Sequence, residues 1–204
     1  MITLAIIAMT VVVSWQAFEK PQLADRLILW PPAIERKRQY DRLLTHGLIH
    51  ADWMHLFFNM LTLYFFGRLV EAQMAELRGP VVYPLFYLSA IVIAILPTYL
   101  RHRHDPHYRS LGASGAVSAV TFAFIMIDPW ATIIIPIPLP IPMPAILYAV
   151  GYVGYSFWKD RQGGGNINHN AHLSGAIYGV LFMLLMDERV GPHFLHELTS
   201  LRLR

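Results

Sequence analysis

Residues 46–60 read HGLIHADWMHLFFNM, and the apolar run goes on through LTLYFFG to Gly67. Three histidines and an asparagine stand at the entrance of a stretch that meets no Asp, Glu, Lys or Arg between Met54 and Gly67. Polar side chains in hydrocarbon cost free energy unless a neighbour satisfies them, so each needs a partner or a task. Working outward, the same kind of charge-free window recurs. The windows are Ile2 to Phe18, Met54 to Val70 (interrupted by Arg68), Val81 to Leu100, Gly112 to Ile127, Met143 to Trp158 and Ala171 to Met186. About 17 to 20 residues at 1.5 Å each cross a hydrocarbon layer of about 30 Å.

Composition agrees with that reading: 55% of the 204 residues are apolar and 14% charged, where about a quarter charged is usual for soluble domains. The expectation is an all-α membrane protein, one domain over residues 1–204 with six spans and a membrane-associated first loop. The first window has no basic segment ahead of it and no small-x-small site after Phe18, so it reads as a retained span and not as a cleaved signal. Cysteine is absent, which excludes disulfides, thiolate metal sites and a cysteine nucleophile. A scattered net charge of +3 leaves no footprint for nucleic acid.

Between the windows, LADRLILWPP suits a segment in the headgroup region or an ordinary loop stopped by Pro31-Pro32. In IIIPIPLPIPMPA, proline at every second position from Pro136 to Pro144 removes helix donors, so an extended connector at the bilayer edge is expected. RQGGGNINHN, with three successive glycines, reads as a permissive loop.

Chemistry enters with two later stretches. In LGASGAVSA, Ser114 lies among Gly112, Gly115, Ala116 and Ala119; in NAHLSGAIYG, His172 precedes Gly175 and Gly179 in a GxxxG face. Small residues let helix backbones approach closely. A serine hydroxyl is short, so its hydrogen bond to an imidazole on another helix requires that approach. The residues alone leave open a plainer alternative, in which Ser114 bonds back to its own helix and the glycines serve packing. No aspartate completes a triad within the spans: Asp128 and Asp187 lie fourteen and fifteen residues from Ser114 and His172, about 20 Å along a helix. A dyad remains. His55 and Asn59, four apart on one helical face, can both donate to an oxyanion beside the Ser114 N–H. His46 and His50 precede the span and suit loop-holding hydrogen bonds.

Taken in order on the second, fourth and sixth windows, HGLIHADWMHLFFN, GASGA and AHLSGAIYG resemble the motifs of the rhomboid family of intramembrane serine proteases, over a region from Arg42 to Met186. The resemblance implies Ser114 as nucleophile and His172 as general base and then acid. It also implies His55 and Asn59 as oxyanion donors, His50 as a supporting residue and Glu71 as a structural carboxylate at the far end of the second span. No cofactor and no metal are implied. The implied partners are transmembrane helices of membrane-protein substrates and the lipid bilayer; the implied location is a bacterial inner membrane with the site opening to the extracytoplasmic side. The Lys and Arg count points the other way, eleven on the side of residues 19–53, 101–111 and 159–170 against five. Asp41-Arg42 stands where bacterial members often have Trp-Arg, and Ser118 where some have a tyrosine stacked on the histidine. A substrate helix must unwind before its scissile carbonyl is reachable, and sideways movement of the fifth span is the expected way in.

Other classes fit less well. HxxxH at His46 and His50 and HxxH at His104 and His107 and at His169 and His172 resemble the histidine boxes of membrane di-iron enzymes, yet no adjacent His-His pair and no HExxH motif occurs. A non-catalytic helix-binding member would be expected to lack the serine or the histidine. No internal two-fold repeat suggests a transporter.

Overall fold

Each of the six apolar windows folds largely as helix. The computed structural model describes residues 1–135, 140–163, 165 and 167–200. Helix α1 runs Ile2–Glu19; the first loop then holds three short helices, α2 (Pro21–Leu27), α3 (Pro31–Lys37) and α4 (Arg42–Thr45), and a 3₁₀ turn, His46–Leu48. The second window is α5 (Trp53–Thr62), continued through a π-helical turn, Leu63–Gly67, into α6 (Arg68–Arg78). Helix α7 is Val82–His102 and α8 is Ser114–Ile127. A ribbon of β1 (Thr132–Ile135) and β2 (Ile141–Pro144) follows, then α9 (Ala145–Gln162), α10 (His169–Met186) and α11 (Val190–Thr199). By length and composition two of these, α1 and α7, suffice on their own to cross a membrane; α8 is apolar but shorter.

One loop expectation changes. Pro31-Pro32 starts a helix and does not stop one: Pro31 takes the first position of α3, where the missing N–H is one the helix would leave unpaired anyway. Of the proline-rich run, residues 136–139 lie outside the described residues, but its flanks pair antiparallel, Thr132 opposite Pro144 and Ile135 opposite Ile141. Prolines fit such a two-stranded ribbon because their nitrogens can face away from the partner. In the glycine loop Gly163 and Gly165 adopt positive φ; residues 164 and 166 lie outside the described residues.

Helix α8 is the centre of the bundle, with every residue from Gly115 to Met126 buried. Its tightest neighbour is α10. A Cβ built on Gly175 would collide with the carbonyl oxygen of Gly115, and one on Gly179 with that of Ala119. The two backbones therefore touch over a full turn, as the GxxxG face predicts. Behind them, Tyr83, Phe86, Tyr87 and Ala90 of α7 are buried. Glu71 on α6 accepts the backbone N–H of Ile2 (2.6 Å) and Thr3 (2.9 Å) and the Thr3 hydroxyl (2.6 Å), so it caps the start of α1. A negative group at a helix N-terminus satisfies orphan donors and meets the positive end of the helix dipole.

Candidate active site

Ser114 is the first residue of α8, and the loop before it is held from two sides. Leu29 and Ser110 exchange backbone hydrogen bonds, Leu29 N–H to Ser110 O at 3.0 Å and the reverse at 3.2 Å. The Gly112 N–H donates to the His46 carbonyl (2.9 Å). The Ala113 N–H points at His50 Nε2 (3.4 Å). His50 Nδ1 meets the hydroxyl of Ser14 on α1 (3.0 Å), and that hydroxyl donates to the Leu48 carbonyl (3.0 Å). These partners fix the tautomer: with Nε2 accepting and the Ser14 proton committed to Leu48, the His50 proton sits on Nδ1. Burial holds His50 neutral, its pKa pushed down to about 3, and His46, whose Nδ1 meets the Arg42 carbonyl, is pushed down to about 4 for the same reason. Both histidines bond to loop backbone, and the loop that His50 touches is the one that carries the serine.

Gly112 is where glycine is required. Its φ is +112°, and a Cβ there would lie 2.6 Å from His55 Cε1 and 2.9 Å from Nε2. The Cε1–Nε2 edge of the His55 ring therefore lies against the serine loop. The Asp52 carboxylate caps α5 by accepting the His55 N–H (2.8 Å), and His55 Nδ1 faces the Ala51 N–H (3.4 Å). With Nδ1 in the acceptor role, Nε2 carries the proton and can donate beside Ser114. Asn59, 7% exposed, donates one amide N–H to the His55 carbonyl (2.9 Å), leaving its second N–H for another acceptor. The first N–H groups of α8, from Ser114 onward, have no partner within the helix.

His172 approaches on α10. The ideal Cβ of Gly115 is 3.3 Å from the Ala171 carbonyl oxygen, so the residues flanking Ser114 and His172 touch. Among the described residues no hydrogen bond joins Ser114 Oγ to His172. Neither the Oγ nor either ring nitrogen is among the fully buried atoms left without a partner. A serine and base that are long apart without substrate commonly close up when it binds. The start of α10 is set by Asn168, whose Oδ1 accepts the Ala171 N–H (3.0 Å) and the Thr98 hydroxyl (3.0 Å), while its Nδ2 reaches Tyr108 (3.2 Å) and Ser110 (3.3 Å). A small cavity of about 10 Å³, room for about one water, lies behind Ser114 between Gly112, Asn168 and Ala171.

Arg42 explains how the first loop keeps its shape without the tryptophan. It is 5% exposed and donates to the carbonyls of Asp25 and Ile28 (both 2.7 Å) and to Gln39 (2.7 Å), while its neighbour Asp41 pairs outside with Arg26 at 2.7 Å. Ser118, one turn past Ser114, donates to the Ser114 carbonyl (2.8 Å) and also meets the hydroxyl of Tyr152. The ring stacked on His172 is that of Tyr152 on α9, with centroids 6.0 Å apart and planes 22° apart. Two of these residues were beyond the sequence reading. Asn168 carries a cap signal, a polar residue just before an apolar run, that could have found it. Tyr152 carries none, since only the crossing of α9 over α10 brings it to the histidine.

Comparison with known proteins agrees with the geometry. A family model described as the Rhomboid domain matches residues 37–189. The chain is 29% identical over 184 residues to RHOMBOID-like protein 12, mitochondrial, of Arabidopsis thaliana, which covers 81% of this chain and 52% of that protein. It is 32% identical over 158 residues to Rhomboid-like protein 11, chloroplastic, of the same plant, covering 71% and 52%. The putative rhomboid protease YdcA of Bacillus subtilis is 26% identical over 183 residues, covering 87% and 84%. The chain spans about half the length of the two plant relatives. With three quarters of its length inside the family model, this chain belongs to the rhomboid family.

Proposed function

We infer that the protein is an intramembrane serine endopeptidase, a hydrolase of peptide bonds in transmembrane segments of other membrane proteins, and that residues 1–204 form one six-span domain. The observation that carries this reading is the backbone contact of α8 with α10 at Gly115 and Gly175, which sets Ser114 one residue from one side of it and His172 one turn from the other. Helix length supplies the setting. At 1.5 Å per residue the 14 residues of α8 span about 21 Å, short of a hydrocarbon layer of about 30 Å, so a buried central helix of this length ends inside the bilayer. We place its N-terminal end, with Ser114, below the membrane surface, where hydrolysis requires a pocket that admits water.

In the reaction, His172 takes the proton from Ser114 Oγ as that oxygen attacks the scissile carbonyl. Negative charge on the tetrahedral oxygen is met by the Ser114 N–H at the positive end of α8, by His55 Nε2–H and by the free N–H of Asn59. His172 passes the proton to the leaving amine, and water, activated by the same imidazole, releases the acyl group. The substrate segment must be locally unwound, which favours small or helix-breaking residues at the cleavage point. Relatives named for the mitochondrion, the chloroplast and a bacterial protease do not single out a bacterial inner membrane, so the location proposed is a multi-pass membrane protein with its site on the side of the first loop.

A fluorophosphonate probe tests the assignment in detergent. Wild type is expected to be labelled, Ser114→Ala not at all, and His172→Ala slower by about 10³-fold or more. Labelling that survives Ser114→Ala removes the nucleophile from this account.

A further inference from the structure

Helix α9 is held to the rest of the protein along one narrow line. Of its 18 residues only Ala145, Ala149 and Ser156 are buried, and Tyr152 continues their spacing of about one and two turns. Leu147, Val150, Val153, Tyr155, Phe157 and Trp158 are exposed, and nothing lies within 4 Å of a Cβ built on Gly151 or Gly154. The three buried contacts are small residues. Ile146, Tyr148 and Tyr152 are the large side chains that pack on the core beside them, and of these Tyr152 has both of its ends engaged.

Its hydroxyl meets Ser118 on α8. The Ser118 proton is already given to the Ser114 carbonyl, so the tyrosine is the donor of that pair. Its ring lies nearly parallel to the His172 imidazole at 6.0 Å, in the offset range where aromatic rings attract, and packs against Phe122 at 5.6 Å and Tyr148 at 5.6 Å. His169, one turn before His172, meets the imidazole by its edge at 5.9 Å. Among the described residues no hydrogen bond to a carboxylate or carbonyl holds the His172 ring. The tyrosine face is what fixes its plane, and it also favours the imidazolium that forms when the serine proton arrives, since a cation over an aromatic face is stabilised.

Resting on the dyad reading above, we propose that Tyr152 is the positioning residue for His172, and that because it rides on α9 the competence of the imidazole depends on whether α9 is seated. The fifth helix is in this way both a wall of the site and the carrier of the part that aims its base. When α9 stands away from α8 and α10, the Ser118–Tyr152 hydrogen bond breaks and the ring leaves His172. Hydrolysis then waits until α9 returns against the bound segment.

The test uses the full chain in detergent and measures the rate of fluorophosphonate labelling. The probe is small and needs no helix to enter, so its rate reports the dyad and not the width of the opening. Tyr152→Phe keeps the ring and should label within about threefold of wild type, while Tyr152→Leu should be slower by about tenfold at saturating probe, with the half-saturating concentration unchanged. Tyr152→Met, which fills the seat without a ring, should behave as the leucine variant does, and serves if the leucine variant unfolds. Melting temperatures separate a loss of fold from a loss of aim. Leucine and methionine variants that label as fast as wild type would overturn the proposal, and so would a phenylalanine variant as slow as they are. Wild type that fails to label would instead defeat the serine-protease reading itself.

Discussion

Gly175→Ala adds one methyl group at the point where the two site-bearing helices touch. The new Cβ would meet the Gly115 carbonyl oxygen at well under contact distance, and would lie 2.9 Å from the carbonyl carbon and 3.3 Å from the Cα of the same residue. All three are backbone atoms of a buried helix, so no side chain can swing aside. To reach an ordinary separation from the oxygen, α10 must move away from α8 by about 1 Å or more. Overpacking of this kind costs about 1–3 kcal/mol of stability. The functional cost is larger, because a misplacement of about 1 Å between a nucleophile and its base can cost about 10²-fold in rate. The expected result is a protein that still folds, melts lower, and is labelled by a fluorophosphonate about 100-fold more slowly, although no residue of the dyad or the oxyanion site has changed. Gly154→Ala is the matched control: nothing lies within 4 Å of its added Cβ, so the labelling rate should hold and stability should rise by up to about 1 kcal/mol through helix propensity. If Gly175→Ala labels within threefold of wild type, Ser114 and His172 are not held together by this crossing, and the close-approach argument fails.

Two further perturbations probe the frame around the site. Glu71→Gln turns one of the two carboxylate oxygens that receive the Ile2 and Thr3 donors into an NH₂ group, and should cost about 2 kcal/mol, or about 4–8 °C in melting temperature, with labelling preserved below the melt; an unchanged melting temperature would deny that the carboxylate ties α1 to α6. For the pH dependence, His46 and His50 have folded pKa values pushed below the ordinary histidine value of about 6.5 by burial, so the unfolded chain binds more protons once pH falls below it. Stability contributed by keeping them neutral is whole above about pH 6.5 and is lost as pH falls toward about 4, each histidine adding about 1.4 kcal/mol per pH unit in that window. Melting curves from pH 7 to 5 should therefore slope downward, and His50→Gln should remove one histidine's share of the slope; identical slopes would mean that His50 is not buried neutral.

Much of this arrangement was legible without coordinates, for reasons that differ from element to element. Charge-free length marks a helix whatever its neighbours are, so all six windows emerged with bounds displaced by only a few residues, and the second grew to Arg78 because Glu71, Glu76 and Arg78 sit on a helix that runs past its apolar part. The α8–α10 crossing was legible because GxxxG and GASGA state a distance: only glycine lets two backbones come so near. The loops were not, since Pro31-Pro32 has the same composition as a stop and as a first turn, and only the seating of α3, through Ile34, against Leu29 and Tyr99 decides between them.

The least legible feature is the one on which the base depends. At position 118 a serine stands where a stacking tyrosine would be expected by resemblance, and from sequence this looks like a missing part. A tyrosine on α8 would need no partner helix to stay in place. In this chain the ring comes from Tyr152, and the short Ser118 side chain both leaves room for it and accepts its hydroxyl proton. The serine is therefore the complement of the tyrosine and not a gap left by one. Moving the ring from the helix of the nucleophile to a helix with an almost bare outer face changes what its loss would mean. On α8 the ring would be a fixed wall, whereas on α9 its presence reports that the side of the bundle is closed.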